Sequence, residues 1–288
     1  GFTESFLYEF IGAKELAAFG HDIQGVVALE NPTRPEAAYL TPRILYQYVV
    51  SALDNLRHHA HISIFGLGKS FHVNSHGRME EQKDLILAVG TREHEGEEEF
   101  YRLKGVLDAL FESLGITDHR YTEIAIDTNP RASAFHPHRA TAIKMGDDTV
   151  GIFGEIHPSI LSTLTKHSHV IAAELSFDAL WRHAREEAEY RPIGKYPSII
   201  RDIALRIPLI TKIEEVQNVI EIAGGSLLVD VDTFDYFQND ALRNSEEKSV
   251  AFRLIFQSPE RTLTDAEVDT AMQKITSTLE EKSWEVRA

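Results

Sequence analysis

The chain has 288 residues, of which 43% are hydrophobic and 26% are charged, a composition typical of a globular protein of about two domains. It contains no cysteine, which excludes a disulfide scaffold and thiolate metal sites and favours a cytoplasmic location. The formal net charge of −16 argues against non-specific nucleic-acid binding, because such binding depends on clustered Lys and Arg, so any RNA contact must come from a local patch.

Residues 1–190 alternate predicted strands with predicted helices. The strands are Ser5–Ile11, Ile62–Phe71, Leu85–Thr91, Ala140–Met145, Val150–Glu155 and Val170–Leu175, and the helices are about Thr41–His58, Glu98–Leu114 and Pro158–Thr165. Hairpin-like pairs such as AIKMGDDTVGIFGEI, with a Gly-Asp-Asp turn, favour a largely antiparallel α+β sheet over a doubly wound one.

A domain boundary is predicted near Tyr190–Lys195. There the helical segment Phe177–Glu189 gives way to YRPIGKYPS, in which two prolines and a glycine interrupt both helix and strand. The sequence therefore predicts one domain over residues 1–190 and a second over residues 195–288.

The second domain has clear element signals. A strand at Ile199–Ile207 precedes a capping box at Thr211–Glu214 and a helix that stops at Gly224-Gly225. Next come a strand at Leu227–Phe237, a strand in KSVAFRLIFQ, a helix after a second capping box at Thr264–Glu267, and a strand at Ser283–Arg287. The order βαββαβ predicts a ferredoxin-like fold with both helices on one face of the sheet and the other face free.

Charged residues within these strands are the main candidates for function. Val250, Phe252, Leu254 and Phe256 alternate along their strand, which places Arg253 on the opposite, open face. The adjacent Arg201 and Asp202 are predicted at an exposed face or edge. Two interpretations stay open for these charges. They could supply RNA phosphate contacts, with base stacking by nearby aromatic residues, or they could form a solvated strand surface. The residues concerned are Arg201, Arg253 and Arg261, with Lys195, Tyr196 and Phe252 nearby.

Three other motifs have simpler interpretations. The run Ser63–Ser70 ends like a phosphate-binding loop, but it lacks the first glycine and continues as a strand. His58, His59 and His61 are expected at a solvated surface rather than on a metal. The segment Phe135–Arg139, FHPHR, is expected to be a structural turn, with ligand contact as the alternative. No catalytic or metal-binding arrangement can be recognised from spacing.

A series of segments follows the order of one known family over nearly the whole chain. They are GFTESFLYEF, NPT with TPRILYQYVVSAL, SIFGLGKSF, EEFYRLKGVLDALFESLGI, AFHPHRATAI, VGIFGEIHPSIL, KYPSIIRDIALRI and SVAFRLIFQSPERTLTDAEV. In these segments the chain resembles the C-terminal part of the β subunit of bacterial-type heterotetrameric phenylalanyl-tRNA synthetase. A start at Gly1, close to a strand, adds the expectation that the sequence is a segment of a longer protein.

The resemblance implies a non-catalytic, class II synthetase-like domain at residues 1–190 and a ferredoxin-fold anticodon-binding domain at 195–288. It implies that the α subunit performs catalysis, that two αβ pairs form an (αβ)₂ assembly, and that tRNA(Phe) is bound. Neither DNA nor a membrane is an expected partner. No cofactor is expected on this chain, whereas ATP and magnesium are expected in the complete enzyme.

The implied site residues fall into two groups. The implied tRNA contacts are Lys195, Tyr196, Ser198, Arg201, Asp202, Arg253 and Arg261. The implied subunit interface lies along the helix Thr41–Leu56, through Ile44, Leu45, Tyr48 and Val49. No residue is assigned to catalysis or to a metal.

The sequence also departs from the family pattern. Where the family reads roughly RLFEIGRVF, Ser63, Gly66 and Lys69 replace Arg, Glu and Arg, and His138 replaces the glycine of FHPGRSA. These changes fit a domain without catalysis. The alternative is a free-standing non-catalytic paralogue that reuses these two folds and acts as a binding or scaffold module.

Overall fold

The computed structural model describes residues 1–92, 96–124, 129–165, 168–185, 195–239, 242 and 244–287. The chain divides into two compact units, Gly1–Glu189 and Tyr190–Ala288. Most of the predicted boundary segment, residues 190–194, lies outside the described residues. Within the described ranges no helix is long and apolar enough to cross a membrane.

The first unit is built on a seven-stranded sheet. Its strands are β1 (Thr3–Glu4), β4 (His61–Val73), β5 (Met79–Thr91), β6 (His119–Thr122), β7 (Phe135–Met145), β8 (Asp148–Ile156) and β9 (His169–Ser176), and a separate pair is formed by β2 (Phe10–Ile11) and β3 (Tyr39–Leu40). The order across the sheet is β1-β4-β5-β9-β8-β7-β6. All neighbouring strands are antiparallel except β1 and β4, which confirms the predicted α+β class.

Helices cover both faces of this sheet. They are α1 (Ala13–Ala18), α2 (Leu45–Asn55), α3 (Gly96–Ser113), α4 (Pro158–Leu164) and α5 (Phe177–His183). Helix α2 packs on β4, β5 and β9, where Ile86 and Ala88 of β5 join its core. Helices α3 and α5 pack on the opposite face, where Leu87 and Val89 of β5 point. Alternate residues of one strand therefore serve two hydrophobic cores.

Several predicted bounds in the first unit need correction. The predicted strand Ser5–Ile11 forms a strand only at its end, in β2, and β1 lies just before it. The hairpin of β4 and β5 is longer than predicted. Its turn is stabilised by the Asn74 side chain, which accepts hydrogen bonds from the backbone N–H groups of His76 and Arg78, and by Gly77, which takes a positive φ of 72°. Helix α5 ends at His183, since Ala184 is extended, and the end of the predicted helical segment, residues 186–189, lies outside the described residues.

The second unit has the predicted ferredoxin-like order. Its elements are β10 (Ile199–Pro208), α6 (Ile213–Gly224), β11 (Leu228–Phe237), β12 (Glu247–Phe256), α7 (Asp265–Glu281) and β13 (Glu285–Arg287). The antiparallel sheet runs β11-β12-β10-β13. Both helices pack on one face, over a core that contains Val250, Phe252, Leu254 and Phe256, all fully buried.

The two predicted capping boxes have different outcomes. The one at Thr264 is present, and the Glu267 carboxylate accepts the Thr264 backbone N–H at 3.0 Å. The one at Thr211 is wrong, because the Thr211 N–H closes a turn onto the Pro208 carbonyl (3.0 Å) and Lys212 becomes the N-cap residue.

Candidate functional site

The open face of the second sheet carries a guanidinium held in place by a carboxylate. Strand register pairs Arg253 of β12 with Asp202 of β10. Arg253 donates from Nε to Asp202 Oδ1 and from Nη2 to Oδ2, each at 2.9 Å. These bonds lower the pKa of Asp202, so the pair is ionised over the physiological range. The two charges neutralise each other at the surface.

An aromatic ring lies beside this ion pair. The Arg253 guanidinium carbon lies 5.0 Å from the centre of the Phe234 ring, within cation–π range. A β-bulge between Thr233 and Asp235 shifts the register of β11 at this point. Beyond the bulge, register places Phe237 opposite Ser249, on the same open face. The sequence interpretation missed both phenylalanines, because the bulge changes the simple alternation of TFDYF.

Arg201 is not on this face, although Asp202 is. Register pairs Arg201 with the buried Leu254, on the helix side of the sheet. There it donates to Asp265 of α7 at 2.8 Å and lies 3.6 Å from Asp269. The structure therefore separates the two adjacent charges, as the alternation of a strand requires.

Arg261 and the remaining candidates lie outside the sheet. Arg261 forms two hydrogen bonds to the Glu267 carboxylate, which lower the pKa of Glu267 to about 2. Lys195 and Ser198 are exposed. The carbonyl of Tyr196 accepts a hydrogen bond from the Gln257 side chain at 2.6 Å, which ties the segment before β10 to the end of β12.

The family of the chain follows from comparison with known proteins. A model described as the phenylalanyl tRNA synthetase beta chain CLM domain matches residues 1–177. The chain belongs to the phenylalanyl-tRNA synthetase beta chain family. A second model, the ferredoxin-fold anticodon binding domain, matches residues 194–287. The fold is accordingly a class II synthetase-like domain followed by a ferredoxin-fold domain.

Curated relatives are similar over almost the whole of this chain. The phenylalanine–tRNA ligase beta subunit of Moorella thermoacetica is 32% identical over 293 residues, and that of Fusobacterium nucleatum is 29% identical over 300 residues; each alignment covers 98% of this chain and 36% of the relative. The chain thus spans about a third of the length of these relatives. A solved pyrrolysyl-tRNA synthetase from Desulfitobacterium hafniense aligns with 63% of this chain and 62% of its own, at 16% identity and a TM-score of 0.49.

The first unit buries the residues that the sequence placed at a subunit interface. Ile44, Leu45, Tyr48 and Val49 are at most 1% exposed and pack in the core under α2. They offer no surface to a partner, and their prediction as interface residues is therefore corrected. An apolar helical stripe has the same sequence pattern whether a chain's own sheet or another subunit covers it.

A different surface of the same unit exposes aromatic residues. In the extended segment after β1, Phe6 and Tyr8 are 85% and 83% exposed, and Phe10 is 42% exposed. Neighbouring residues hold the segment: the Ser5 carbonyl accepts a hydrogen bond from the Tyr48 hydroxyl at 2.6 Å, and the Glu9 side chain accepts one from the Lys69 backbone N–H at 3.0 Å. We call Phe6, Tyr8 and Phe10 the aromatic row.

The close fit of this segment against β4 depends on a glycine. A Cβ atom at Gly66 of β4 would collide with the Tyr48 hydroxyl and the Ser5 carbonyl oxygen. Any larger side chain at Gly66 would displace the segment or α2. Gly66 is therefore required for the observed position of the aromatic row.

A buried charge network lies at the end of α2. Arg43 binds Glu174 of β9 through Nε (3.2 Å) and Nη2 (2.5 Å), and both side chains are at most 4% exposed. Arg131 lies 3.4 Å from the buried Asp84 and 3.9 Å from Glu174. Burial favours the neutral form of Glu174, but the two arginines outweigh it and hold its pKa below the ordinary value.

The FHPHR segment opens β7 instead of forming a turn before it. Arg139 donates to Glu155 at 2.8 Å, and His169 contacts the same carboxylate at 2.7 Å. These residues line a cleft of about 550 Å³ with Phe100 and Tyr101. Across the part of the chain that the structure describes, no group of three or more His, Asp or Glu side chains is arranged to hold a metal ion.

Proposed function

We propose that this chain acts in the attachment of phenylalanine to tRNA(Phe), as part of the β subunit of phenylalanine–tRNA ligase. The observation that carries this proposal is that two family models match consecutively, over residues 1–177 and 194–287. The second unit binds the anticodon region of the tRNA, and the first unit assembles with the α subunit in an (αβ)₂ enzyme. Catalysis, with its ATP and magnesium, takes place on the α subunit.

The charge pattern of the first unit supports a non-catalytic role. Transfer of an adenylyl group needs cationic side chains that face the phosphates of ATP. Arg43, Arg131 and Arg139 are instead paired with the carboxylates of Glu174, Asp84 and Glu155. Hydrophobic cores also cover both faces of the sheet. These arginines therefore stabilise the fold through ion pairs.

The aromatic row supports assembly through the first unit. Large exposed aromatic side chains on a fixed backbone are typical of protein interfaces, where they supply much of the binding energy. The relatives are named beta subunits, and a subunit of that name has a partner of another kind. We propose the aromatic row, in place of the buried face of α2, as a contact for the α subunit.

Three measurements on the purified chain test the proposal. The chain should bind tRNA(Phe) more tightly than a tRNA with another anticodon, and it should form a stable complex with the α subunit of the same organism. Alone it should show no phenylalanine-dependent ATP–pyrophosphate exchange. Robust exchange by the chain alone would overturn the assignment of catalysis to the α subunit.

The second candidate function is a free-standing paralogue that serves as a binding or scaffold module. The span of only 36% of the relatives' length is compatible with this reading as well as with the first. The same experiment separates the two, because a paralogue without a role in the ligase binds neither the α subunit nor tRNA(Phe) selectively.

A further inference from the structure

A cleft of about 550 Å³ opens in the first unit where α3 begins. Its volume is within the range of small-molecule binding sites. The cleft lies on the α3 side of the sheet, because Phe153, two residues before Glu155 on β8, packs in the core under α3. Residues of α3, β7, β8 and β9 line it, so four elements converge on one concave surface.

A buried carboxylate holds the polar side chains of this cleft. Glu155 is 3% exposed, and it accepts a hydrogen bond from Arg139 Nη1 on Oε2 at 2.8 Å, while His169 Nδ1 lies 2.7 Å from Oε1. Burial favours the neutral form of Glu155, but the hydrogen bonds from His169 and Arg139 outweigh it and lower its pKa. Two polar groups of the cleft are thus fixed before any ligand binds, which lowers the entropic cost of binding.

A break in strand register brings Arg139 to the cleft. Phe135 pairs with Ile156 and Ala140 pairs with Gly154, so four residues of β7 lie opposite a single residue of β8. Irregularities of this kind redirect side chains and are common beside active sites. The Arg139 side chain is 59% exposed, and among the described residues it donates only through Nη1. The edge of the guanidinium that faces away from Glu155 can therefore bind a carboxylate.

The start of α3 contributes two aromatic rings and an acidic group. The Phe100 ring packs on Phe153 with 4.3 Å between ring centres, and the Tyr101 ring meets Phe100 edge-on at 5.7 Å. Tyr101 is 63% exposed. Glu97, one turn earlier on the helix, is exposed and lines the same cleft. The cleft therefore presents flat apolar surface beside groups of both charge signs.

The charges of the lining select a class of ligand. With the histidines counted as neutral, Arg139 and Glu155 cancel, and Glu97 adds one negative charge, so a polyanion such as a nucleotide is disfavoured. We propose that the cleft binds a small zwitterion with a flat ring, the chemical class of the aromatic amino acids. The carboxylate lies on the open edge of Arg139, the ammonium group near Glu97, and the ring against Phe100 and Tyr101. This assigns ligand contact, the alternative interpretation, to the FHPHR segment.

The first test uses L-phenylalanine as the probe and three analogues that each lack one of its features. Titration calorimetry on the chain would compare it with 3-phenylpropanoate, which has no ammonium group, 2-phenylethylamine, which has no carboxylate, and L-alanine, which has no ring. Each analogue should bind about tenfold more weakly or worse, the effect of losing a hydrogen bond to a charged group or a ring contact. Equal binding of any analogue would overturn the zwitterion with a ring as the ligand class.

The second test uses two substitutions in the cleft with matched controls outside it. Arg139→Lys keeps a positive charge beside Glu155 but removes the guanidinium fork, and Tyr101→Ala removes an exposed ring, so each should weaken L-phenylalanine binding about tenfold without changing the melting temperature. Arg182→Lys and Trp181→Ala are the controls, because these side chains on α5 are 62% and 72% exposed and do not line the cleft. Both controls should bind the probe as wild type does.

The outcomes separate this inference from the proposed function, on which it does not depend. Unchanged affinity in Arg139→Lys and Tyr101→Ala would place the probe outside the cleft and overturn the inference. A chain that binds tRNA(Phe) and the α subunit but binds no L-phenylalanine at millimolar concentration would also overturn it and leave the proposed function intact. A chain that binds the probe through Arg139 and Tyr101 but binds neither tRNA(Phe) nor the α subunit would support the inference and overturn the proposed function.

Discussion

The two units of this chain contain the same chemical pair in opposite surroundings. Arg43 and Glu174 in the first unit, and Arg253 and Asp202 in the second, are both bidentate guanidinium–carboxylate pairs. The side chains of the first pair are at most 4% exposed, whereas those of the second are 44% and 45% exposed. The geometry is similar, but burial decides whether such a pair specifies the fold or remains accessible to a ligand.

The first prediction tests the buried pair and has the largest expected effect. Glu174→Ala should lower the free energy of unfolding by about 3–5 kcal/mol, because it leaves the Arg43 guanidinium buried without its counter-charge. Chemical denaturation would measure the loss. Glu81→Ala removes one end of an exposed pair with Lys69 and is the control, with an unchanged denaturation midpoint expected. Equal midpoints for the two variants would contradict the importance given to burial.

The second prediction concerns the aromatic row, where exposed side chains are expected to bind a partner. Phe6→Ser/Tyr8→Ser should weaken the complex with the α subunit by about 30-fold or more, the effect of losing an interface hot spot. Sedimentation or titration calorimetry would measure it. Both side chains are more than 80% exposed, so the folded chain should keep its melting temperature.

Trp181→Ser is the matched control for the aromatic row, because Trp181 is a 72% exposed aromatic residue on α5, outside the row. If this variant weakens the complex as much as the double substitution does, the row has no special role. If the double substitution abolishes self-association and leaves α-subunit binding unchanged, the partner of the row is a second copy of this chain.

How far the sequence predicts these surfaces depends on the pattern involved. Strict alternation in SVAFRLIFQ correctly places Arg253 on the open face, because a continuous strand has a fixed period of two. The same rule, applied to Arg201 and the buried Ile203 two residues on, would have placed Arg201 on the helix side. The bulge at Phe234 has no local signature, since it depends on pairing with β12.

Which apolar segment of the first unit is exposed was harder to predict, for a different reason. Both the α2 stripe and the segment with Phe6, Leu7 and Tyr8 are apolar, and composition alone does not tell which one the sheet covers. The structure decides it through Gly66 and the Tyr48 hydroxyl, which let the segment lie close to β4 with Phe6 and Tyr8 turned outward.

The third prediction is a pH effect at an exposed pair in the second unit. Hydrogen bonds from Arg261 and Thr264 lower the pKa of Glu267 from 4.5 to about 2 in the folded chain. A lowered folded-state pKa gives stability that is present above pH 4.5 and is lost as the pH falls through about 2. Glu267→Gln should therefore lower the melting temperature at pH 6, and the difference from wild type should shrink toward pH 2.

Glu260→Gln, a substitution in the same turn, is the control for this pH effect. Its difference from wild type should not change over the same pH range. The expected shift is small, because the carboxylate is 32% exposed and the arginine 56% exposed, and solvent screens pairs of this kind. A difference for Glu267→Gln that stays constant from pH 6 to pH 2 would contradict the assigned cause.

The last prediction concerns the exposed pair of Arg253 and Asp202. Loss of this pair should hardly change the stability of the chain, but it should change RNA binding. Asp202→Asn removes the charge that neutralises Arg253 and leaves the guanidinium on an open, half-exposed surface. The melting temperature should stay the same. The freed cation should pair with a phosphate of a bound tRNA(Phe) anticodon stem-loop, so the slope of log affinity against log salt concentration should steepen by about 0.7, the value for one added single-strand phosphate contact.

Asp269→Asn provides the comparison, because Asp269 lies 3.6 Å from Arg201 on the helix side and should leave the slope unchanged. An equal change in both variants would mean that the slope follows net charge alone. An unchanged slope in Asp202→Asn would mean that RNA phosphates do not come near Arg253 even when its counter-charge is removed, which would place the RNA elsewhere on the domain.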